Sequence, residues 1–453
     1  MSYSHVTLEY QKGTIVVKGL DSLPYSKVNS KDNCLYSNGI NYKKITQYLN
    51  ERNVRYEDKV LDLLPLGNLP KLKIKLRDYQ QEAIENWCFN KRGSIVLPTG
   101  AGKTIIALKI IEIVNSPTLI IVPTLDLIKQ WTEILSLNFN IEIGNIGGGL
   151  ENLQPITVST YDSAYIKGHL IGNRFMLLIF DEVHHLPAPS YRLIAETFVA
   201  PFRLGLTATI EREDHLEEDF PFLIGKTVFQ ITAKELAKNN YLANYTIEKR
   251  QTFMSAEEYL KYKENMRIYH TCLKKIGLKM NSRGAFKRLI IISSRNIVAR
   301  HALLARNKAM DIALNSRSKI DEIRKILCEN KDIKTIIFTQ HNKLVYDISN
   351  VFLIPFITHK SSKEEREDVI NGFKDGRYKA IVTSKVLDEG IDVPDAQLGI
   401  LVSGTGSSRE FIQRLGRLLR PKNDKNQAKL IEIISSGTSE SLTSEKRHRN
   451  IMN

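Results

Sequence analysis

The chain has 453 residues, of which 42% are hydrophobic and 25% charged, and this ordinary composition excludes fibrous, collagen-like and wholly disordered proteins. Lys and Arg total 65 against 50 Asp and Glu, so the formal charge is +15, which favours a polyanionic partner, with nucleic acid ahead of a membrane surface. No apolar run approaches the ~18 residues of a membrane-spanning helix and the first residues lack a secretory-signal pattern, which predicts a cytoplasmic protein without a membrane partner.

Residues 1–70 have the pattern of a small N-terminal α+β domain. Two short apolar stretches flank a Lys-Gly turn, which predicts strands at His5–Tyr10 and Thr14–Lys18, and a helix is predicted at Tyr42–Leu49. A linker is indicated by residues that interrupt regular structure, namely Pro65, Gly67 and Pro70.

Strands alternate with helix-length segments from Leu76 onward, the pattern of parallel sheets covered on both faces. The first series predicts strands at Ser94–Leu97, Thr118–Val122, Ile156–Ser159, Met176–Phe180 and Leu204–Leu206. The second predicts strands at Thr335–Thr339, Ile354–Thr358, Ala380–Thr383, Leu398–Val402 and Leu430–Ile434. The fold class is therefore α/β, with tandem parallel-sheet lobes at residues 71–230 and 316–436.

Residues 231–315 differ from both lobes. The segment 261–308 within them holds 13 Lys or Arg residues and one acid, Glu264. A solvated helical linker would normally mix both signs of charge, so a helical insertion that contacts DNA is the favoured interpretation. Its predicted DNA contacts include Lys274, Lys275, Lys287 and Arg288. The tail, residues 437–453, is polar, and we expect it to be mobile.

The segment Ser94–Thr104 is a predicted strand, a loop ending Gly102-Lys103-Thr104, and the start of a helix. A phosphate-binding loop has this context, because backbone N–H groups and a helix N-terminus then face phosphate oxygens. Lys103 would reach the β- and γ-phosphates, and the Thr104 hydroxyl would bind Mg²⁺. Leu97 stands where the strict motif has its first glycine, so a purely structural loop is the alternative.

A second candidate motif follows the apolar strand Met176–Phe180. Asp181 can hold Mg²⁺ through water, and Glu182 can orient or deprotonate the attacking water. The alternative, a helix N-cap, loses weight because the phosphate loop lies upstream. No other ligand lies at metal spacing from His184 and its neighbour, so we expect His184 to couple to the phosphates or to pack.

A basic segment far downstream offers positive charge for phosphoryl transfer. Gln413, Arg417 and Arg420 fall at i, i+4 and i+7, and therefore share one face of a helix. Arginines there could act on nucleotide bound to the first lobe, and surface salt bridges are the alternative.

The order of these motifs resembles that of superfamily 2 helicases and translocases over residues 76–434. The resemblance implies two RecA-like lobes, ATP and Mg²⁺ as ligands, and nucleic acid crossing both lobes. Nucleotide-binding positions are then Arg77, Gln80, Pro98, Thr99, Gly100, Ala101, Gly102, Gly390 and Asp392. Coupling positions are His184, Thr207 and Thr209. DNA-backbone contacts are Pro123, Thr124, Ser159, Thr160, Thr339 and Thr383.

Within that superfamily the chain is most similar to the XPB branch. The segment Asp181–Tyr191 has the form that branch favours, and Arg212-Glu213-Asp214 matches its element associated with opening DNA. The basic segment lies where such proteins carry a thumb-like insertion. Residues 5–56, with Tyr36, resemble the N-terminal DNA-binding domain of archaeal relatives. The chain is shorter than the eukaryotic subunit, which favours compact phage recombination helicases of the UvsW type.

The predicted function is an ATP-dependent DNA helicase or translocase that remodels forks and Holliday junctions in phage recombination or replication, in the host cytoplasm. We expect a monomer that meets recombination or replication proteins. The sequence itself does not reveal the direction of movement, and the resemblance implies 3′→5′. Alternatives are a transcription-associated factor that opens DNA or releases transcripts, an RNA helicase, and a nucleic-acid-stimulated ATPase that loads other factors without unwinding.

Overall fold

The computed structural model describes residues 6–29, 34–210, 216–239, 241, 245–280, 284–384, 396–402, 428–441 and 444–445. Two compact units divide the chain, the first ending at Asn239 and the second following it. Several predicted site residues lie outside the described residues, namely Arg212, Glu213, Asp214, Gly390, Asp392, Gln413, Arg417 and Arg420.

The N-terminal domain of the first unit is a five-stranded mixed sheet with one α-helix. Its elements are β1 (Val6–Gln11), β2 (Thr14–Lys18), β3 (Lys27–Asn29), β4 (Cys34–Asn38), α1 (Tyr42–Glu51) and β5 (Tyr56–Lys59). The strand order is β3-β4-β2-β1-β5, and only β1 and β5 pair in parallel. The α1 residues Tyr42, Ile45 and Leu49 share one face, which is buried against the sheet. The two predicted strands and the helix are confirmed.

The N-terminal domain packs directly on the rest of the first unit. The Tyr10 hydroxyl donates to the carbonyl of Gly168 at 3.1 Å, and the Asn173 side-chain amide donates to the carbonyl of Val60 at 3.0 Å. At Gly39 a Cβ atom would lie 2.1 Å from the carbonyl oxygen of Thr197, so only glycine permits this approach. The N-terminal domain is therefore closely packed against residues 168–197 of the first unit.

Lobe 1 completes the first unit with an eight-stranded sheet of order β13-β6-β12-β11-β7-β10-β8-β9, parallel except for the pair β8–β9. Its elements are α2 (Asp78–Asn90), β6 (Arg92–Val96), α3 (Lys103–Val114), β7 (Thr118–Val122), α4 (Leu125–Phe139), β8 (Gly144–Gly147), β9 (Leu150–Asn152), β10 (Ile156–Thr160), α5 (Tyr161–Ile171), β11 (Leu177–Asp181), α6 (Pro189–Thr197), β12 (Phe202–Thr207), α7 (Phe220–Leu223), β13 (Thr227–Gln230) and α8 (Ala233–Lys238). The carboxyl ends of the parallel strands therefore meet at one edge.

Lobe 2 lies in the second unit, and its sheet is parallel throughout with order β14-β19-β18-β15-β17-β16. Its elements are β14 (Tyr245–Thr252), α9 (Ala256–Lys275), α10 (Ala285–Ser293), α11 (Ile297–Leu314), α12 (Arg317–Glu329), β15 (Thr335–Phe338), α13 (Asn342–Phe352), β16 (Phe356–Ile357), α14 (Lys363–Lys374), β17 (Ala380–Thr383), β18 (Leu398–Leu401) and β19 (Ala428–Ser435). The predicted fold class, two α/β lobes after a small domain, is confirmed.

The predicted linker differs from the structure at its start. Strand β14 pairs with β19 along its whole length, from Tyr245↔Ala428 to Thr252↔Ser435, and so belongs to the sheet of lobe 2. Six of its eight residues are charged or polar, which concealed the strand from a search for apolar runs. None of the described helices combines the length and hydropathy that crossing a bilayer requires.

Helices α9, α10 and α11 form the insertion, here called the thumb (residues 256–314). Its interior holds Tyr269, Leu273 and Leu289 against small α11 residues such as Ala302. Small residues along one face of α11 let α9 approach closely. The basic side chains lie outside this interior, and those predicted to bind DNA are all exposed, namely Lys274, Lys275, Lys287 and Arg288.

The beginning of the tail is buried, which contradicts the expected mobility of the described residues there. Glu440 and Ser444 are each 1% exposed. The Ser444 hydroxyl donates to Glu432 at 2.8 Å, and the Ser439 N–H donates to the hydroxyl of Tyr262 at 3.2 Å. The polar composition misled the prediction because these polar groups are paired inside lobe 2 and the thumb rather than hydrated.

Candidate active site

The phosphate-binding loop lies between β6 and α3 at the carboxyl edge of lobe 1. The Leu97 N–H donates to the carbonyl of Thr207 at 2.9 Å, so the strand pairing extends to the position where the strict motif has glycine. The Ala101 N–H donates to the carbonyl of Pro98 at 3.2 Å and closes the loop. Gly102, with φ of 82°, then directs the chain into α3, which begins at Lys103. The N-terminal N–H groups of α3 face this edge.

Two residues in the first turn of α2 bind the loop through hydrogen bonds. The Tyr79 hydroxyl and the Gln80 side-chain amide donate to the carbonyl of Ala101 at 2.7 and 3.1 Å. The amide oxygen of Gln80 accepts from the backbone N–H of Arg77 at 3.0 Å. A Cβ atom on Gly102 would lie 2.5 Å from the Gln80 amide nitrogen. Gln80 therefore shapes the loop, and adenine recognition by Arg77 and Gln80 stays a prediction.

The lysine of the loop and the two carboxylates after β11 lie together. The Lys103 Nζ lies 3.7 Å from Glu182 Oε1 and 3.5 Å from the carbonyl oxygen of Leu97. Glu182 follows Asp181 at the end of the strand with φ of 49°, an uncommon conformation for a residue with a side chain. This turn directs its carboxylate toward the loop. The structure thus brings together Lys103, Asp181 and Glu182, three of the predicted residues.

The Asp181 carboxylate is nearly buried and each of its oxygens accepts an N–H. Trp131 Nε1 donates to Oδ2 at 3.0 Å, and the Glu182 backbone donates to Oδ1 at 3.0 Å. Burial, followed by the neighbouring charge of Glu182, raises the pKa of Asp181 to about 6, whereas Lys103 and Trp131 oppose the rise. A cation near the carboxylate favours its charged form.

The donor set at this edge fits Mg²⁺. Thr104 would supply a hydroxyl oxygen and Asp181 a carboxylate oxygen, the hard oxygen ligands that this ion prefers. Bound Mg²⁺ would add positive charge beside the phosphate oxygens, where Lys103 already contributes its own.

Side-chain contacts connect the carboxyl end of β11 with the carboxyl end of the adjacent strand β12. His184 Nδ1 lies 3.1 Å from Thr207 Oγ1 and 3.4 Å from Glu182 Oε2. The Thr207 hydroxyl donates to the carbonyl of Thr209 at 2.8 Å and accepts from the Thr209 N–H at 3.2 Å. His184 is fully buried. The predicted coupling residues are therefore linked to one another, and His184 also lies beside Glu182, while their role stays a prediction.

Two predicted DNA contacts cap helices at the same edge. Thr124 Oγ1 accepts from the Leu127 N–H at 3.3 Å at the start of α4, and Thr160 Oγ1 accepts from the Ser163 N–H at 3.1 Å at the start of α5. Strands β7 and β10 pair in register, with Val122 opposite Thr160, so these caps are neighbours. Pro123 lies between the end of β7 and Thr124, the N-cap residue of α4.

Three other predicted contacts are fully buried. Ser159 and, in lobe 2, Thr339 and Thr383 are each 0% exposed. The Thr383 hydroxyl donates to the carbonyl of Ser384 at 2.9 Å, and the Thr339 N–H donates to the carbonyl of Thr383 at 3.0 Å. These residues lie in or directly after strands and beneath the surface, so their contact with DNA stays a prediction.

Comparisons with known proteins follow this division of the chain. Residues 8–60 match the family model of the xeroderma pigmentosum group B helicase damage recognition domain. Residues 73–212 match that of the type III restriction enzyme res subunit, and residues 318–422 that of the helicase conserved C-terminal domain.

A protein of Sulfurisphaera tokodaii named DNA 3'-5' translocase XPB2 is 45% identical over 98% of this chain and 99% of its own length. The chain belongs to the XPB family of superfamily 2. A Mycobacterium tuberculosis protein named DNA 3'-5' helicase XPB is 30% identical over 80% of this chain and 61% of its own. The yeast XPB/SSL2 subunit of general transcription and DNA repair factor IIH is 26% identical over 90% of this chain and 46% of its own.

The fold of this XPB-family chain resembles that of the Pyrococcus furiosus Hef helicase domain. The TM-score is 0.54 at 19% identity, over 83% of this chain and 100% of that domain. The two lobes are accordingly RecA-like. With the helicase-domain matches, family membership makes this chain an ATP-dependent DNA helicase or translocase.

The predicted likeness to phage helicases of the UvsW type is not supported. The relatives described above are XPB proteins of archaeal, bacterial and eukaryotic origin. A phage origin, a bacterial host setting and a role in recombination or replication lose their basis with it. The inference failed because it rested on chain length, which several lineages of one family can share.

Two aromatic residues contact Asp181, and neither contact could be predicted from the sequence. Trp131 donates to its carboxylate, and the Tyr161 hydroxyl donates to its backbone carbonyl at 3.0 Å. A buried Trp or Tyr usually forms a hydrogen bond through its N–H or O–H group. The sequence does not show which residue accepts that bond.

Proposed function

We propose that this protein is an ATP-driven translocase that moves 3′→5′ along DNA and opens duplex DNA in transcription or repair. The observation that carries the proposal is the likeness along nearly the whole chain to a protein named as a 3'-5' translocase. The contact of Lys103 with Glu182 beside Asp181 supports it, because this is the charge arrangement that nucleotide hydrolysis requires.

In this proposal the first lobe binds the nucleotide and activates water. The loop amides and Lys103 hold the phosphates, and Glu182, fixed at the end of β11, orients the attacking water. His184 connects Glu182 with Thr207, so the state of the phosphates can alter the end of β12. Arg417 and Arg420 remain the predicted source of positive charge for the γ-phosphate, and Gln413 remains a predicted catalytic residue on the same helix face.

The DNA is gripped by its backbone. The exposed cations of the thumb supply charge, and the edges at Thr124 and Thr160 supply hydroxyl and N–H groups. Such contacts follow phosphates without reading bases, so little sequence preference is expected. Residues 1–70 are assigned to DNA binding as well, in line with the match to a damage recognition domain.

ATPase stimulation by plain duplex, single strand, fork, Holliday junction and RNA tests the substrate. We expect duplex DNA to stimulate strongly, and stimulation by RNA equal to that by DNA would refute the DNA assignment. A clear preference for Holliday junctions would instead support branch migration as the function.

Streptavidin displacement from biotinylated single strands tests polarity. A 3′→5′ translocase removes streptavidin from the 5′ end. Hydrolysis without any displacement would favour a loading subunit instead.

The proposal leaves the predicted monomer without support from relatives. The yeast and Dictyostelium discoideum proteins are named as subunits of factor IIH. Light scattering coupled to size exclusion measures the mass of this chain alone and with DNA, and a mass near 51.7 kDa per particle would restore the prediction.

Neutralising the thumb is expected to weaken DNA binding and flatten its salt dependence. A variant with Lys274, Lys275, Lys287 and Arg288 replaced by Gln should lose a log–log slope of about 0.9 for each side chain that contacts a phosphate of duplex DNA. Fluorescence anisotropy across salt concentrations measures this slope.

The matched control removes the same charge from helix α12 and the turn after it, using exposed cations that are Arg317, Arg324, Lys325 and Lys331. Arg324 and Lys325 pair with acids of their own helix, so the control should keep the wild-type slope. Equal slopes for all three proteins would show that the thumb does not contact the DNA backbone.

A further inference from the structure

The orientation of the Asp181 carboxylate is fixed by a residue far away in the sequence. Trp131, on α4, donates its indole N–H to Oδ2 at 3.0 Å, and is itself 3% exposed. Because the Glu182 N–H donates to the other oxygen, the carboxylate cannot rotate without losing a charge-assisted hydrogen bond. The lone pairs that remain on the two carboxylate oxygens therefore have fixed directions.

The backbone of the same residue is held from a second helix. The hydroxyl of Tyr161, the first residue of α5, donates to the Asp181 carbonyl at 3.0 Å, and Tyr161 is 2% exposed. Asp181 is thus fixed at its side chain by α4 and at its main chain by α5.

Both helices begin at predicted DNA contacts. Thr124 caps α4, and Trp131 lies seven residues further on, about 10 Å along the helix axis. Thr160 caps α5 and directly precedes Tyr161. A displacement of either cap by a bound phosphate would therefore be transmitted by a rigid helix to Asp181.

We propose that Trp131 is a positioning residue for ATP hydrolysis, which orients Asp181 toward the metal-bound nucleotide and, together with Tyr161, links DNA contact at Thr124 and Thr160 to the nucleotide site. The proposal rests on the nucleotide site described above and deepens it. It assigns the DNA dependence of hydrolysis to α4 and α5, whose buried aromatic side chains reach the same residue.

A pair of tryptophan variants tests the proposal, because the chain has only two tryptophans. Trp131→Phe removes the N–H and keeps an aromatic ring. Trp87→Phe makes the same change at a fully buried residue of the same lobe, whose N–H donates to the carbonyl of Arg203 at 3.0 Å. Thermal unfolding of both variants measures the structural cost, which should be similar.

The functional effects should differ. In Trp131→Phe, DNA-stimulated hydrolysis should fall by about 10- to 100-fold, the usual effect of removing a group that orients a metal ligand. Binding of the fluorescent nucleotide mant-ADP should also lose most of its dependence on Mg²⁺, measured as the ratio of Kd values in EDTA and in Mg²⁺. Trp87→Phe should keep both values within about twofold of wild type, since it changes no group near the site.

Trp131 emission gives a readout that needs no hydrolysis. In Trp87→Phe it is the one tryptophan of the chain, so its fluorescence should change when Mg²⁺ and ADP are added and again when duplex DNA is added. Tyr161→Phe should reduce the DNA-induced change while leaving the ring of Tyr161 in place.

The results separate this proposal from the proposed function. If Lys103→Ala hydrolyses ATP normally, the nucleotide site itself is misassigned. If Lys103→Ala is inactive but the two tryptophan variants behave alike in hydrolysis and in mant-ADP binding, Trp131 is structural and this proposal is wrong. Emission of Trp131 that does not respond to duplex DNA would likewise refute the link to the DNA contacts.

Discussion

Replacing Lys103 by alanine is expected to reduce ATP hydrolysis by about 100- to 1,000-fold, the usual effect of removing a preorganised charge at a reaction centre. The Lys103 ammonium lies beside the glycine loop and 3.7 Å from Glu182 Oε1. It places positive charge beside the carboxylates of Glu182 and Asp181. Its loss should affect the chemical step more than nucleotide binding, because the loop amides remain.

DNA binding by Lys103→Ala should stay near the wild-type value, since Lys103 lies within the nucleotide site and is 13% exposed. Steady-state hydrolysis with saturating duplex DNA and anisotropy with labelled duplex measure the two properties. Lys109→Ala is the matched control, because Lys109 lies on the same helix and pairs with Glu112 at 2.8 Å. Hydrolysis by Lys103→Ala above a tenth of the control rate would contradict the assignment.

Buried parallel strands were the best predicted part of the fold. Their residues are covered on both faces, so each appears as an unbroken apolar run. The run Thr118–Val122 corresponds to β7 without change, and Met176–Phe180 is displaced by one residue from β11. Since phosphate loops and catalytic carboxylates follow such strands, locating the strands also located Lys103, Asp181 and Glu182.

Elements at the margins of the sheets could not be predicted in this way. Strand β8 consists of Gly144–Gly147, and β9 is three residues long and exposed, so neither has an apolar run. Strand β13 has only four residues, of which one is buried. These strands exist because a formed sheet edge offers unpaired N–H and carbonyl groups, which is a tertiary cause.

The burial of polar residues also could not be predicted from the sequence. Arg203 is fully buried on β12, where it donates to the carbonyls of Ala195 and Leu223 at 2.8 Å each, and of Phe198 at 2.8 Å. A charged residue next to an apolar run is normally assigned to the surface. Only the fold brings the end of α6, strand β12 and α7 together. The contact of Trp131 with Asp181 was missed for the same reason.

The second large expected effect concerns the ion pair between Lys319 and Glu440. Lys319 Nζ lies 2.8 and 2.9 Å from the two carboxylate oxygens and 2.8 Å from the carbonyl oxygen of Val402. The Ser435 N–H donates to the same carboxylate at 2.9 Å. Lys319 is fully buried and Glu440 is 1% exposed, so both charges are removed from water. The pair fastens the chain after β19 to α12 and to the end of β18.

Glu440→Ala should lower the free energy of unfolding of lobe 2 by about 3–5 kcal/mol, because it leaves the Lys319 ammonium buried without a counter-charge. The chain has two compact units, so the measurement must be local. Hydrogen exchange at the amides of β18 and β19, followed across denaturant concentrations, reports on this lobe. Unfolding of lobe 1 in the same experiment serves as an internal reference.

Two further variants separate the loss of a counter-charge from a general defect. Asp321→Ala breaks an exposed ion pair with Arg324 on the same helix and should cost at most about 1 kcal/mol. The double variant Lys319→Met with Glu440→Leu removes both buried charges, and should therefore recover much of the stability lost by Glu440→Ala. If the double variant is less stable than Glu440→Ala alone, packing at these positions, rather than charge pairing, holds the tail in place. The order of the three stabilities therefore decides whether the polar tail is retained by electrostatics.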